Sequence, residues 1–277
     1  MGIHSTALWV VVSLKDQLYG IAADSVREMV NTPKVVGVPM NLPYLRGLVN
    51  LRGHTAPLVD LRMRLGMDSF LHSQEQLLEI FKVREQDHVN WLIELEASVK
   101  EKRPFKLSTD PHKCAFGRWY DAYKSDNMMV QNLLARFDAP HKHIHGIAAE
   151  VVTLEGQNRH EDAYALIERT RNTELATMIR LFASARLLVK ETARELCVVV
   201  ERLGRLVALT VDRVHGVEPL HVDEASKMEA LATLDTGGLL QGVGTSRKGE
   251  LVLMLNLPAV LDEAAAQTAE LHTQATE

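Results

Sequence analysis

The stretch 45–62 reads Leu45-Arg46-Gly47-Leu48-Val49-Asn50-Leu51-Arg52-Gly53-His54-Thr55-Ala56-Pro57-Leu58-Val59-Asp60-Leu61-Arg62. Branched apolar residues flank Arg52-Gly53 on both sides, which predicts a strand, a tight turn at Gly53 and a second strand. Asn50, Arg52 and Arg62 fall at the ends, where polar side chains reach solvent or a partner. Upstream, Trp9-Val10-Val11-Val12, Tyr19-Gly20-Ile21 and Val35-Val36-Gly37-Val38 are further strand-length runs, with Asp16 and Gln17 as the first hairpin turn. Pro33, Pro39 and Pro43 exclude a helix between them.

The same grammar returns near the C-terminus. Leu196–Val200 and Leu206–Val211 flank Leu203-Gly204-Arg205, a second predicted hairpin. Leu239–Gly244 and Glu250–Asn256 add strands, and 257–266 reads as a closing helix. Cys197 lies inside an apolar run and is expected to be an inert core thiol. His54, His215 and His221 are expected in turns.

Between these β-rich flanks the period changes from two to helical spacing. Leu77, Ile80, Phe81, Val89, Leu92, Ile93 and Leu95 recur at helical intervals until Pro104. Thr109 or Asp110 is cap material for a short helix carrying Cys114, Phe116, Trp119 and Tyr123. A second short helix covers Met128, Met129, Leu133 and Leu134. Asp138-Ala139-Pro140 predicts a helix start with Asp as cap and Pro in the first turn. Helical spacing then continues towards Lys190, with a break expected between Gly156 and His160. The segment 73–81 is expected to pair with its distal end as an antiparallel stalk.

Four residues of this helical region have the chemistry of metal ligands: His88, Cys114, His141 and His145. Thiolate and imidazole are the donors that tetrahedral zinc prefers. At 100° per residue, His141 and His145 lie about 40° apart on one helix face, whereas His143 points away. Four such donors on three predicted helices are a stronger signal than the pair alone. Gly117 is expected to admit a close neighbour, and Trp91, Phe116 and Trp119 to be core. His112 and His143 are expected at the surface.

Composition narrows the classes further. With 277 residues the chain has room for two modest domains, and 46% hydrophobic with 24% charged residues is ordinary for a globular protein. A net charge of −5 without a basic cluster gives no footprint for nucleic acid. Two distant cysteines argue against a disulfide framework and fit a reducing, cytoplasmic setting. The apolar run Leu8–Leu14 is too short to span a bilayer and lacks a basic leader, so no membrane insertion is expected.

The order Leu-Arg-Gly-Leu-Val-Asn-Leu-Arg-Gly, followed by Pro-Leu-Val-Asp-Leu-Arg, resembles the first half of a CheW-like domain. Val211-Asp212-Arg213-Val214 is similar to the Val-Asp-x-Val segment of its second half. The matching positions are Asn50, Arg52, Gly53, Asp60 and Arg62. The helical region resembles the chemoreceptor zinc-binding domain, CZB, through His88 with Trp91, Cys114-Ala115-Phe116-Gly117-Arg118-Trp119-Tyr120, and His141-Lys142-His143-Ile144-His145. Carried over residue by residue, that family's three-His, one-Cys zinc site falls on His88, Cys114, His141 and His145.

The resemblance implies an α+β protein: a CheW-like domain of two small five-stranded β-barrels, interrupted by an all-α CZB bundle on a helical stalk. The expected division is 1–67, then an insert of 68–192, then 193–277. It implies a cytoplasmic chemotaxis adaptor that couples the chemoreceptor signalling tip to a CheA-type histidine kinase. The partner-surface candidates are Asn50, Arg52 and Arg62, with turn chemistry the competing role for the first two. Zinc is the expected cofactor, and Cys114 the redox-active ligand through which zinc or hypochlorous acid is sensed. A closed four-ligand shell without a His-Glu-x-x-His base disfavours an enzyme. A constitutive scaffold with structural zinc, a zinc-dependent enzyme, and a homodimer through the helical insert stay open as alternatives.

Overall fold

The computed structural model describes residues 7–39, 42–125, 127–222 and 237–261. They divide into two compact units, one built from the described residues of 1–72 and 194–277 and the other from those of 73–193.

The first unit is a β unit. Its strands are β1 (Leu8–Leu14), β2 (Gln17–Ala22), β3 (Val26–Asn31), β4 (Val35–Val36), β5 (Leu45–Leu51), β6 (His54–Asp60), β7 (Leu196–Arg202), β8 (Arg205–Val211), β9 (Arg213–Pro219), β10 (Leu240–Thr245) and β11 (Leu251–Leu255). One sheet has the order β10-β11-β2-β1-β9 and the other β3-β7-β8-β6-β5-β4. The second therefore has a sixth strand beyond the five that the resemblance implies, and that strand, β4, is two residues long.

Both sheets mix strands from before and after the helical region. β9 pairs with β1, β11 runs parallel to β2, β7 pairs with β3, and β8 runs parallel to β6. Neither half completes a sheet alone, so the β unit closes only when both are present. Its main core takes Val10, Val12 and Leu14 from one half and Val198, Val200 and Leu209 from the other.

Local chemistry sets the turns. Arg52 and Gly53 both have positive φ, 52° and 94°, as a two-residue hairpin with right-twisted strands requires. Leu203 and Gly204 repeat this at 52° and 76°. The first hairpin turns one residue earlier than expected, at Lys15-Asp16, with Lys15 at φ 52°. His54 opens β6, His215 lies within β9 and His221 bridges Thr245, so all three belong to strand pairing and not to turns. Only 257–261 of the expected closing helix lies within the described residues, and these are helical.

The second unit is helical. Its elements are α2 (Phe70–Lys100, entering from the β unit after the short α1, Leu61–Arg64), α3 (Ala115–Ala122), α4 (Met128–Ala135), α5 (Asp138–Gly156), α6 (His160–Thr170) and α7 (Ala176–Thr192). The expected break falls at 157–159, and a π-helical turn, Arg171–Leu175, joins α6 to α7. The stalk pairing is present: Leu77 and Phe81 share a core with Ala185 and Val189, and Arg186 pairs with Glu85.

Several local expectations shift. Asp138 is the first helical residue of α5, not its cap; Phe137 takes the cap position without a side-chain bond. Asp138 instead pairs with Lys142 one turn on. Ile93, Met128 and Met129 face solvent, because the apolar stripe of each helix is narrower than its apolar content. Among the described residues no helix is long and apolar enough to cross a membrane.

Candidate metal centre

Three helices of the second unit bring four donors together. His88 comes from α2, Cys114 from the residue before α3, and His141 and His145 from successive turns of α5. Their ligand atoms all lie within 4.8 Å of one another, and the three imidazoles are buried. A tetrahedral ion about 2.0–2.3 Å from each donor sets donors roughly 3.3–3.8 Å apart, so a small contraction closes the shell.

Cys114 itself is the N-cap of α3, displacing Thr109 and Asp110 from the expected role. Its extended backbone (φ −69°, ψ 164°) turns Sγ back to accept the Gly117 N–H at 3.1 Å. Asp110 instead accepts the His112 N–H at 3.0 Å. Gly117 has to be glycine: a Cβ there would lie 1.8 Å from the Pro111 carbonyl oxygen. That close approach folds 111–114 over the first turn of α3, where the Cys114 thiol reaches Pro111 O at 3.3 Å and His141 Nε2 at 3.2 Å.

Two histidines are oriented by backbone carbonyls. His88 Nδ1 donates to Arg84 O at 2.7 Å, one turn back on its own helix. His145 Nδ1 donates to Ser108 O at 3.0 Å, across from a loop. In each ring Nε2 is then the unprotonated nitrogen, and both Nε2 atoms are buried without a partner. A buried polar atom left unpaired is costly, and two facing the same point fit a cation.

Burial also sets protonation. It lowers the pKa of His88, and it takes His141 to about 3 and His145 to about 4, neighbouring histidines adding to the shift of these last two. All three are neutral at pH 7, with lone pairs available. Burial pushes the Cys114 thiol up, while the Gly117 and Phe116 N–H groups pull it back. A bound divalent ion reverses that balance and keeps the sulfur as thiolate. The donor set fits zinc on these grounds.

Aromatic rings wall the site. Phe116 stands edge-on to His141 at 4.9 Å and to His88 at 5.5 Å, and Trp91 lies 5.0 Å from His145. A groove of about 1000 Å³ runs behind His145 between α2 and α5, lined by Leu95, Val99, Phe105, Ala148 and Val151. It meets the centre only through His145.

The remaining expectations separate cleanly. His112 is exposed and contacts Asp121; His143 is exposed and faces Glu174 at 3.7 Å. Asn50 Oδ1 accepts the Gly53 N–H at 2.7 Å, so it makes the β5–β6 turn. Arg52 is exposed and pairs with Glu28. Arg62, expected at a partner surface, is buried: its guanidinium binds Asp212 and lies over the Phe70 ring at 5.3 Å. It ties the two halves of the β unit together. Sequence reasoning did not find Arg84 O, Ser108 O or the Gly117 N–H, since backbone groups leave no residue signature.

Comparisons with known proteins agree with these features. The CheW-like domain model matches residues 8–89 and 173–265, and the chemoreceptor zinc-binding domain model matches 88–152. The chain is 29% identical over 85 residues to the chemotaxis protein CheW of Bacillus subtilis strain 168, covering 31% of this chain. It spans about half, 54%, of the length of that curated relative. Among solved structures it is similar to the scaffolding protein TtCheW of Thermoanaerobacter tengcongensis, at 16% identity and a TM-score of 0.41, over 93% of this chain and 90% of that one.

Proposed function

The chain belongs to the CheW-like family and carries a chemoreceptor zinc-binding insert, and on that premise we propose that it is a chemotaxis adaptor regulated through a zinc–thiolate centre. Residues 1–67 and 193–277 form the cytoplasmic coupling domain, and 68–192 the sensing insert. The compactness of 73–193 supports this division. The coupling domain links a chemoreceptor signalling tip to a CheA-type histidine kinase without catalysing a reaction. Arg52, exposed at the β5–β6 turn, and the neighbouring Asn50 are candidates for that contact; Arg62 is not, because it is buried.

One observation carries the metal assignment: the Cys114 sulfur and two unpartnered buried Nε2 atoms converge within 4.8 Å with His141. Zinc, when bound, supplies the positive charge that holds Cys114 as a thiolate. Hypochlorous acid then oxidises that sulfur by two electrons. An S–O bond forms, the O–Cl bond breaks, chloride leaves, and Cys114 becomes a sulfenic acid. The oxidised sulfur is a poorer donor both to the metal and as acceptor for the Gly117 N–H. Oxidation therefore loosens the cap of α3 in the same step. An enzyme reading is less well supported, since the groove behind His145 has Glu155 as its carboxylate and His160 binds it at 2.7 Å.

The test is zinc content of the full chain with and without hypochlorous acid, alongside binding to a receptor tip and kinase. One zinc per chain, released on oxidation with a change in binding, is expected. A Cys114→Ala variant that responds like the wild type overturns the switch.

A further inference from the structure

We propose that Trp91 is a positioning residue for the metal centre, acting through the carbonyl of Ser108 to hold His145 with Nε2 facing the other ligands. The inference rests on the metal reading above and assigns a role that Trp91's burial alone does not require.

The Ser108 oxygen accepts two N–H groups from two different helices. Trp91 Nε1 on α2 donates at 2.8 Å, and His145 Nδ1 on α5 donates at 3.0 Å. One carbonyl has two lone pairs and accommodates both. The two rings lie 5.0 Å apart at 64°, so the indole and imidazole N–H groups sit side by side against one acceptor. Trp91 is 5% exposed, which keeps water from replacing either bond.

The other oriented histidine shows why such a brace is needed. His88 donates to Arg84 O, four residues back, so its acceptor is fixed by helix geometry. His145 takes its acceptor from a loop instead, Ser108 O at 3.0 Å. That loop leaves α2 through Lys102 at φ 53° and Pro104, without regular structure until α3. Trp91 fastens it twice, by stacking edge-on with Phe105 at 5.0 Å and by the bond to Ser108 O. The same loop supplies Pro111 O to the Cys114 thiol. Without the indole N–H, Ser108 O loses one of its two anchors. His145 is then free to take the other tautomer or turn its lone pair away from the centre.

The experiment compares zinc affinity of the full-length wild type, Trp91→Phe, and a protein with benzothienylalanine at position 91, by chelator competition. Benzothienylalanine keeps the fused-ring shape and replaces N–H with sulfur. Both changes are expected to weaken zinc binding about 10-fold, the lower end of the range for losing an outer partner of a ligand, because Trp91 acts on His145 through Ser108 O. Nitrogen NMR of the zinc-free protein should show His145 moving from a single Nδ1–H tautomer to a mixture. If the benzothienylalanine protein binds zinc within twofold of wild type and keeps one tautomer, Trp91 is a packing residue and the proposal fails. A wild type that binds no zinc, or a His145→Ala variant that binds as tightly as wild type, overturns the metal reading instead.

Discussion

The β unit and the helical unit treat buried polar groups in opposite ways. In the β unit Arg62 is closed by Asp212 and Arg46 by Glu195, each pair bridging the two halves of the domain. Cys197 there donates to Thr32 Oγ1 at 3.3 Å, and burial raises its pKa. In the helical unit Cys114 is also raised by burial, yet it sits among three neutral imidazoles and a helix-capping N–H. Burial by itself makes a thiol inert; convergent lone pairs make it a ligand. Among the described residues the β unit has one exception, Asp60 Oδ2, which is buried without a partner while Oδ1 caps α1.

The largest expected effect comes from breaking the helical side of this contrast. Structural zinc sites contribute about 10 kcal/mol or more to the fold that holds them. Chelation of the full chain should therefore accelerate hydrogen exchange across 73–193 and leave β7 and β8 protected. Cys114→Ser should act likewise, and Cys197→Ser should leave zinc content unchanged. Equal loss of zinc in both variants would erase the distinction between the two cysteines.

Next in size is the paired side. Arg62→Ala leaves the Asp212 carboxylate without its guanidinium, which costs about 3–5 kcal/mol at a buried pair. Urea unfolding of the β unit measures it. A cost near that of a surface substitution, about 0.5 kcal/mol or less, would return Arg62 to the list of partner-surface candidates.

Acid should separate the units further. In the zinc-free protein His141 and His145 have folded pKa values of about 3 and about 4, below the usual 6.5. The unfolded chain binds protons first, so stability is full above about 6.5 and falls as pH drops towards 4. The slope is about 1.4 kcal/mol per pH unit for each histidine. His141→Phe should flatten it in a pH series of melting curves, and an unchanged slope would show that other groups set it.

Smallest is Cys197→Ala, a small deletion in a β core, expected to cost about 1 kcal/mol without altering zinc binding or oxidant response. A changed response would mean that the second thiol takes part.

Much of this was legible along the chain. The hairpin at Arg52-Gly53 is local, because two positive φ angles and flanking branched residues specify it. Helical phase separated His143 from His141 and His145, since angular position depends on spacing alone. Phase does not say which part of an apolar stripe meets a neighbour, and Ile93, Met128 and Met129, apolar residues at helical spacing, lie outside. Caps were misplaced by a residue or more because Thr109, Asp110, Cys114 and Asp138 all offer acceptors, and only packing selects among them.

The amino-acid sequence alone determined the alternation of β, helical and β segments, the four donors and the exclusion of His143. Each of these follows from residue chemistry and short-range periodicity. Only the tertiary structure decided that Arg62 is interior, since its partner Asp212 lies 150 residues away. Only it brought Ser108 O between Trp91 and His145, and the Pro111 carbonyl against Gly117. Those contacts are made by backbone atoms that every residue carries, so their identity becomes visible only when distant segments fold together.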